Sequence, residues 1–429
     1  MTTGALAVVA AAVFGWGVLS ARLQRADLTA PIVFVLLGVV LSGALDPDGG
    51  TVHLLAEITL VWVLFSDAAR VGVRELRADA GLYVRLLAVA LPVTVVAGWL
   101  SAWWMFGGLG LWLALFVGAA LAPTDAALGA VVITHPAVPV RIRRVLNVES
   151  GLNDGIVTPV VLVALAGAAA EAGHDGSEPV HALVELALGV AVGVLAGAAG
   201  GWVLRAARRR GWVDDLFAGP AVLALALVCY TVALTIDANG FTAAFVGGIA
   251  FGHVAGQGRP AAVYYVEQTA GLTSLLVWLL VGVVAVPLVV EHLSWTVLLY
   301  PALSLTVLRM VPVAVTLVGA GLPRSAVLFV GWFGPRGLAS VVFALLAIEE
   351  LGDAAGPAVA VVVITVLSSV LAHGLSASPL AGRFGARMAA GDARDHVAPG
   401  PAHASRLGRR PSAAAQAQAQ AQEGTDGQR

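Results

Sequence analysis

Apolar residues along this chain come in long unbroken runs, with polar residues gathered between them. Thirteen runs can be marked, at about 4–20, 29–45, 53–69, 81–105, 109–134, 144–170, 179–204, 216–236, 240–256, 264–289, 292–320, 325–348 and 356–380. Each is close to the ~20 apolar residues that carry a helix across the hydrocarbon core. Only helices and closed barrels satisfy the backbone in lipid, and barrel strands alternate in segments of ~10 residues. The pattern therefore predicts an all-α polytopic membrane protein with 13 transmembrane helices. No basic residue precedes the first run, which sets it apart from a secretory leader. From about Ala381 the chain turns polar and ends in Ala-Gln repeats between Ala414 and Gln422, a composition unable to bury a core. Residues 1–382 are read as the transmembrane domain and 383–429 as a disordered cytoplasmic tail, too short for a nucleotide-sensing domain.

Two of the runs are damaged as helices. The fifth carries Phe116-Val117-Gly118 and then Ala122-Pro123-Thr124-Asp125; the twelfth carries Phe329-Val330-Gly331 and then Gly334-Pro335-Arg336-Gly337. Proline removes a donor and clashes with the preceding turn, and flanking glycines loosen the helix further. Helices 5 and 12 are thus expected to break mid-span, one beside a negative charge and one beside a positive charge. Their indices differ by an odd number, so they run through the bilayer in opposite directions. Two inverted six-helix repeats, helices 1–6 and 8–13 joined by helix 7, would place them so. Paired Pro/Gly interruptions at corresponding positions point to the binding site of a secondary transporter.

Composition agrees with the pattern. The chain is 59% hydrophobic and 12% charged, with mean hydropathy +0.90, against ~25% charged in an average soluble domain. Its surroundings are a lipid bilayer, and a net charge of -2 gives no reason to expect a nucleic-acid partner. Alternate connections hold Arg22 and Arg25; Arg70, Arg74 and Arg77; Arg141, Arg143 and Arg144; Arg205, Arg208, Arg209 and Arg210; Arg259; and Arg324. The others hold acids instead, among them Asp46, Asp48, Glu171, Asp237, Glu291 and Asp353. By the positive-inside rule the N-terminus lies outside and the C-terminus in the cytoplasm of a bacterial-type cell membrane. The one cysteine, Cys229, excludes a disulfide framework and a cysteine-based metal site. All 24 basic residues are arginine, which reads as a compositional bias.

The chemistry is concentrated in Asn147-Val148-Glu149-Ser150-Gly151-Leu152-Asn153-Asp154-Gly155, which opens the sixth apolar run. An ionisable residue at membrane depth costs at least ~3 kcal/mol, so it is a functional candidate by default. On a helix, Ser150 and Asp154 are i, i+4 neighbours, as are Glu149 and Asn153, giving one oxygen-rich face. Asp154 is the leading candidate for an exchangeable charge; the bland alternative is a structural pair with another helix. Glu149 is either a second ligand or the partner of Arg336, and pairing would spare Arg336 the cost of a lone buried cation. The favoured reading has Arg336 neutralise Glu149 and leave Asp154 free to exchange. Thr124 and the unwound carbonyls around it suit a hard monovalent cation, which needs several oxygens. Asp125 either joins them or caps the second half-helix. Ser150 is a ligand or a packing hydroxyl, and Asn153 leaves the patch one titrating group where two could stand.

Other polar residues within or near the runs carry less. Asp67 is expected to pair with Arg70 at a helix end, Glu57 and Glu185 to sit at outer ends, and Arg309 to snorkel or bind a carbonyl. His135, His253 and His373 have no metal-ligand spacing, and Asp237-Ala238-Asn239-Gly240 reads as a turn entering helix 9.

With these motifs in hand, the chain resembles the cation:proton antiporter-1 family of NhaP-type and NHE-type Na⁺/H⁺ exchangers. The resemblance rests on the 147–155 stretch, Ala122–Asp125, Gly334–Gly337 and Ala238–Val246, and covers about residues 1–385. Asn153-Asp154 is its most specific element, because related electrogenic exchangers usually carry two aspartates there. The chain departs from the family at Asp67-Ala68-Ala69-Arg70, where many members are less charged. The resemblance implies an NhaA/NhaP-like fold with helices 5 and 12 crossing, and a homodimer. It implies cation ligation at Thr124, Asp125, Glu149, Ser150 and Asp154, and pairing of Glu149 with Arg336.

The function expected is secondary cation/proton antiport rather than enzyme catalysis, with no cofactor and no ATP-binding motif. H⁺ and Na⁺ or Li⁺ compete for the oxygens of one carboxylate, which makes exchange electroneutral under alternating access. A K⁺/H⁺ antiporter of the same family is the nearest alternative. A cation channel would want a ring of ligands about a symmetry axis, whereas these acids cluster within one protomer. An intramembrane protease with an Asp125/Asp154 dyad would not call for Asn153 and Thr124 beside the acids.

Overall fold

The computed structural model describes residues 3–24, 28–45, 47–72, 76–77, 79–173, 179–256 and 259–392, and every regular element among them is helical. Among the described residues nine helices are long and apolar enough to cross a membrane, and Ala30–Leu41, Gly110–Ala120 and Gly240–Val254 are shorter apolar helices. The chain is therefore a multi-pass membrane protein. The last helix, Gly356–Asp392, continues past the expected domain boundary at residue 382. The rest of the expected tail lies outside the described residues.

Both breaks expected from sequence are present. Gly110–Ala120 stops before Pro123 and a short helix resumes at Ala130–Thr134. Arg324–Trp332 stops before Pro335 and Leu338–Leu351 resumes after it. Each interrupted helix is followed by a long one, Val140–Glu171 and Gly356–Asp392. An interruption at Thr306, between Trp295–Leu305 and Val307–Thr316, has no proline or glycine beside it and was not legible in the sequence.

Small residues decide how closely the helices approach. Gly189, Gly193, Gly197 and Gly201 form one stripe on the helix Pro179–Arg209, and a Cβ at Gly193 would come within 2.6 Å of the Ala243 carbonyl. Such small-xxx-small spacing lets backbones touch where lipid gives no hydrophobic drive between helices. The helix held there, Gly240–Val254, approaches Gly49–Arg70 in the same way through Gly248 and Gly252. On that helix Phe245 lies against Gly155, where any side chain would overlap its ring. The helix Val140–Glu171 is thus fixed in position one residue from Asp154.

Candidate functional site

The two breaks meet and complete one another's backbone. The Asp125 N–H donates to the Pro335 carbonyl (2.8 Å). Asp125 Oδ1 accepts from the N–H groups of Ala127 (2.7 Å) and Leu128 (3.1 Å), and Oδ2 accepts from Leu338 N–H (2.9 Å). The first-turn amides of a helix lack intrahelical partners and carry positive partial charge, so a carboxylate caps them well. Asp125 thus holds two amides of the turn that follows it and the first amide of Leu338–Leu351. The resuming helix Ala130–Thr134 starts at Gly129 without a side-chain cap, so the expected cap of the second half-helix is not formed there. Arg336 does the converse: its Nη1 donates to the carbonyls of Ala122 and Pro123 (3.1 Å to the latter), just past the end of Gly110–Ala120. Its backbone N–H donates to Ser369 Oγ (2.7 Å), and Ser369 Oγ contacts His373 Nδ1 (3.0 Å).

The expected Glu149–Arg336 pair is not formed. Glu149 Oε1 pairs with Arg309 Nη2 at 2.6 Å, with both side chains almost fully buried. Arg336 faces the open carbonyls of the first break instead. The physical reason is that those carbonyls, bared by Pro123, need a donor as badly as Glu149 needs a cation, and two buried arginines serve two separate needs. Arg309 is the residue that sequence reasoning passed over. Its signal was present, since it is a lone arginine within an apolar run and such a residue demands a partner.

Around the crossing lies a set of oxygens. Thr124 Oγ1 and Ser150 Oγ are 2.8 Å apart, and Asn153 Nδ2 donates to Thr124 Oγ1 at 2.7 Å. Asn153 Oδ1 is buried without a protein partner, as is Glu149 Oε2. Buried polar atoms are ordinarily satisfied, so an unsatisfied oxygen at a site asks for an explanation such as an ion. Asp154 makes no ion pair among the described residues, and the acids Asp125 and Asp67 act on it electrostatically. Its carbonyl accepts from Thr158 Oγ1 (2.7 Å), one residue before Pro159 in the helix Val140–Glu171. Thr124, Ser150 and Asn153 therefore converge, with Asp154 one helical turn from Ser150 on the same face, whereas Glu149 is already paired with Arg309.

Asp67 also belongs here. Its backbone and Cβ lie against Gly151, and Arg70 is only loosely engaged with it at 4.0 Å. Arg70 pairs more closely with Glu267 across the helices at 2.8 Å, so the expected Asp67–Arg70 pair is present but shares its arginine. Glu57 takes a hydrogen bond from Tyr230 (2.5 Å) and pairs with His53 (3.0 Å), which also meets Glu349. This cluster ties helices together at the far end of Gly49–Arg70 from Asp67. Glu185 enters only through its carbonyl, which accepts from Asn239 N–H (2.9 Å), while the Asn239 side chain caps the helix Gly240–Val254 as the turn motif suggested.

The family profile described as "Sodium/hydrogen exchanger, transmembrane" matches residues 8–383, most of the chain. The chain belongs to the sodium/hydrogen exchanger family. This is a family of transporters, not of enzymes, which removes the protease reading. The K(+)/H(+) antiporter NhaP of Alkalimonas amylolytica is 27% identical over 76% of this chain and 57% of its own length. The Na(+)/H(+) antiporter of Schizosaccharomyces pombe is 27% identical over 68% of this chain and 69% of its own. The K(+)/H(+) antiporter NhaP2 of Shewanella oneidensis is 23% identical over 63% of this chain and 47% of its own. The chain thus spans about half the length of the bacterial relatives it matches. In fold it is similar to the sodium proton antiporter MjNhaP1 from Methanocaldococcus jannaschii. The TM-score is 0.72 at 17% identity, over 89% of this chain and 98% of that one.

Proposed function

We propose that this exchanger-family chain is a secondary antiporter that trades one monovalent cation for one proton at the Asp154 carboxylate. The observation that carries this is the unequal treatment of two buried acids on one helix: Glu149 is paired with Arg309, and Asp154 forms no ion pair among the described residues. The Asp154 carboxylate, the hydroxyls of Ser150 and Thr124 and the Asn153 side-chain oxygen would hold the cation. Asp125 and Arg336 hold the crossing together, and Glu149 contributes position rather than exchangeable charge. A proton on Asp154 and a cation beside it exclude each other, because both need the same oxygens. If only the occupied site crosses between inward- and outward-facing states, exchange is obligatory. One titrating group makes the cycle electroneutral.

Purified chain in proteoliposomes with an imposed Na⁺ gradient should move protons at a rate indifferent to membrane potential. Asp154→Asn should reduce that flux to the empty-vesicle level while still folding; measurable exchange in this variant would remove Asp154 from the mechanism. Asn153→Asp adds a second titrating group and should make the rate respond to potential. Na⁺ (with Li⁺) is the proposed cargo. K⁺ is the second reading, favoured by the names of the bacterial relatives. Proton flux against a panel of Na⁺, Li⁺ and K⁺ separates them.

The same reading includes thirteen crossings, an outer N-terminus and cytoplasmic C-terminus in the cell membrane, and a homodimer. The only cysteine, Cys229, is buried, so single cysteines introduced into each loop would report sidedness by labelling.

A further inference from the structure

Away from the crossing, where the helices beginning at Ala80 and Val140 meet the end of Trp295–Thr316, a cavity of about 320 Å³ opens. Arg77, Arg85 and Arg141 line it, with Asp79 the one acid among the lining residues. Asp79 precedes the helix and is placed to cap it, yet its carboxylate makes no cap bond. It is drawn aside by Arg141 Nε (2.8 Å) and Arg144 Nη2 (2.5 Å), with its side chain almost wholly buried. The amides at Ala80 and Gly81 are consequently left without a side-chain cap beside the cavity.

The remaining two arginines keep their charge available. Arg85 Nη1 donates to the carbonyls of Thr316 (2.7 Å) and Val318 (2.6 Å), which orients the guanidinium without neutralising it. Arg77 is exposed and forms no ion pair among the described residues. Guanidinium groups match phosphate oxygens in a planar, bidentate way. All these residues lie at the ends of apolar spans, the depth of lipid headgroups. The apolar side chains of Val84 and Val318, 59% and 73% exposed, stand next to Arg85 and its carbonyl partner, where acyl chains would run.

We propose that this cavity binds the phosphodiester headgroup of an anionic phospholipid, with Arg77 and Arg85 on the phosphate and Arg141 beside it. The bound lipid would join three elements: the helix beginning at Ala80, the helix that carries Asp154, and the end of the helix that carries Arg309.

The test uses the full chain in detergent, with thermal unfolding followed on titration with phosphatidylglycerol, phosphatidylcholine or inorganic phosphate. Phosphatidylglycerol should raise the midpoint saturably and phosphatidylcholine should not. Arg77→Gln should weaken the phosphatidylglycerol response about tenfold while leaving the lipid-free midpoint unchanged, because Arg77 holds no ion-pair partner among the described residues. Arg22→Gln, on the separate helix Thr3–Gln24, should leave the response intact. Equal shifts from the two lipids, or equal loss in Arg22→Gln and Arg77→Gln, would overturn the site. A saturating shift with inorganic phosphate that matches the lipid's and vanishes in Arg77→Gln would assign the cavity to soluble phosphate and overturn the lipid.

Discussion

The two broken helices carry opposite charges and use them in opposite ways. At the first break a carboxylate, Asp125, gathers three backbone N–H groups, one of them from Leu338 at the start of the other helix. At the second break a guanidinium, Arg336, gathers the carbonyls of Ala122 and Pro123 from the first. Breaking a helix creates an amide-rich start and a carbonyl-rich end, and each charge answers the end of opposite sign. The crossing is thereby neutral and self-contained. Both charges are engaged by backbone groups, whereas on the neighbouring helix Asp154 forms no ion pair among the described residues, which is why the proposed exchange is assigned to it.

The largest effect that would break this comparison is steric. A Cβ on Gly337 would overlap the Asp125 carboxylate, whereas one on Gly151 would stay 3.7 Å from its nearest neighbour. Gly337→Ala should fail to give monodisperse protein on size exclusion, and Gly151→Ala should express normally; equal yields would mean the breaks are not held by Asp125.

Next comes the division of labour between two buried arginines. Arg309→Met leaves Glu149 uncompensated and should cost about 3–5 kcal/mol in denaturant unfolding. Arg336→Met removes charged hydrogen bonds to carbonyls and should cost about 1.5–3 kcal/mol. Adding Glu149→Gln should rescue Arg309→Met and not Arg336→Met. The reverse rescue would restore Arg336 as the partner of Glu149.

A smaller effect separates cap from ligand. Asp125→Asn should cost about 1–2 kcal/mol of stability, the scale of a lost cap. It should change the apparent cation affinity less than tenfold, in contrast to the silence of Asp154→Asn. A collapse of affinity without loss of stability would make Asp125 a direct ligand.

The smallest effect belongs to an acid outside the spans. Burial works to raise the Asp79 carboxyl, but the hydrogen bonds and charges of Arg141 and Arg144 outweigh it and hold it below its ordinary 3.8. A carboxylate lowered by folding adds stability that is present above its unfolded value and lost as pH falls through the folded one. Arg141 is half exposed, so the contribution should stay under about 1 kcal/mol. The difference in melting point between the native chain and Asp79→Asn should shrink on acidification below about pH 4. A difference that grows there would reverse the assignment.

Much of the fold was legible because lipid imposes strict composition on a spanning helix. The apolar runs, both proline breaks and the acidic patch at 147–155 could be read directly. The choice of partners could not. The sequence pointed to Arg336 as the mate of Glu149 and left Arg309 to snorkel or bind a carbonyl, and it showed Asp67 with Arg70 but not that Glu267 holds the same arginine more closely.

The sequence alone determined that there would be helices, where two of them would fail and which residues would have to justify being buried. Those are local matters, fixed by side-chain polarity and by the missing N–H of proline. Only the tertiary structure decided that Asp125 and Arg336 serve backbone ends, that Arg309 neutralises Glu149 and that Asp154 remains. Ion pairing falls off within a few ångströms, so the pairing of distant charges is settled by how the helices pack, which glycine contacts such as Gly155 on Phe245 control.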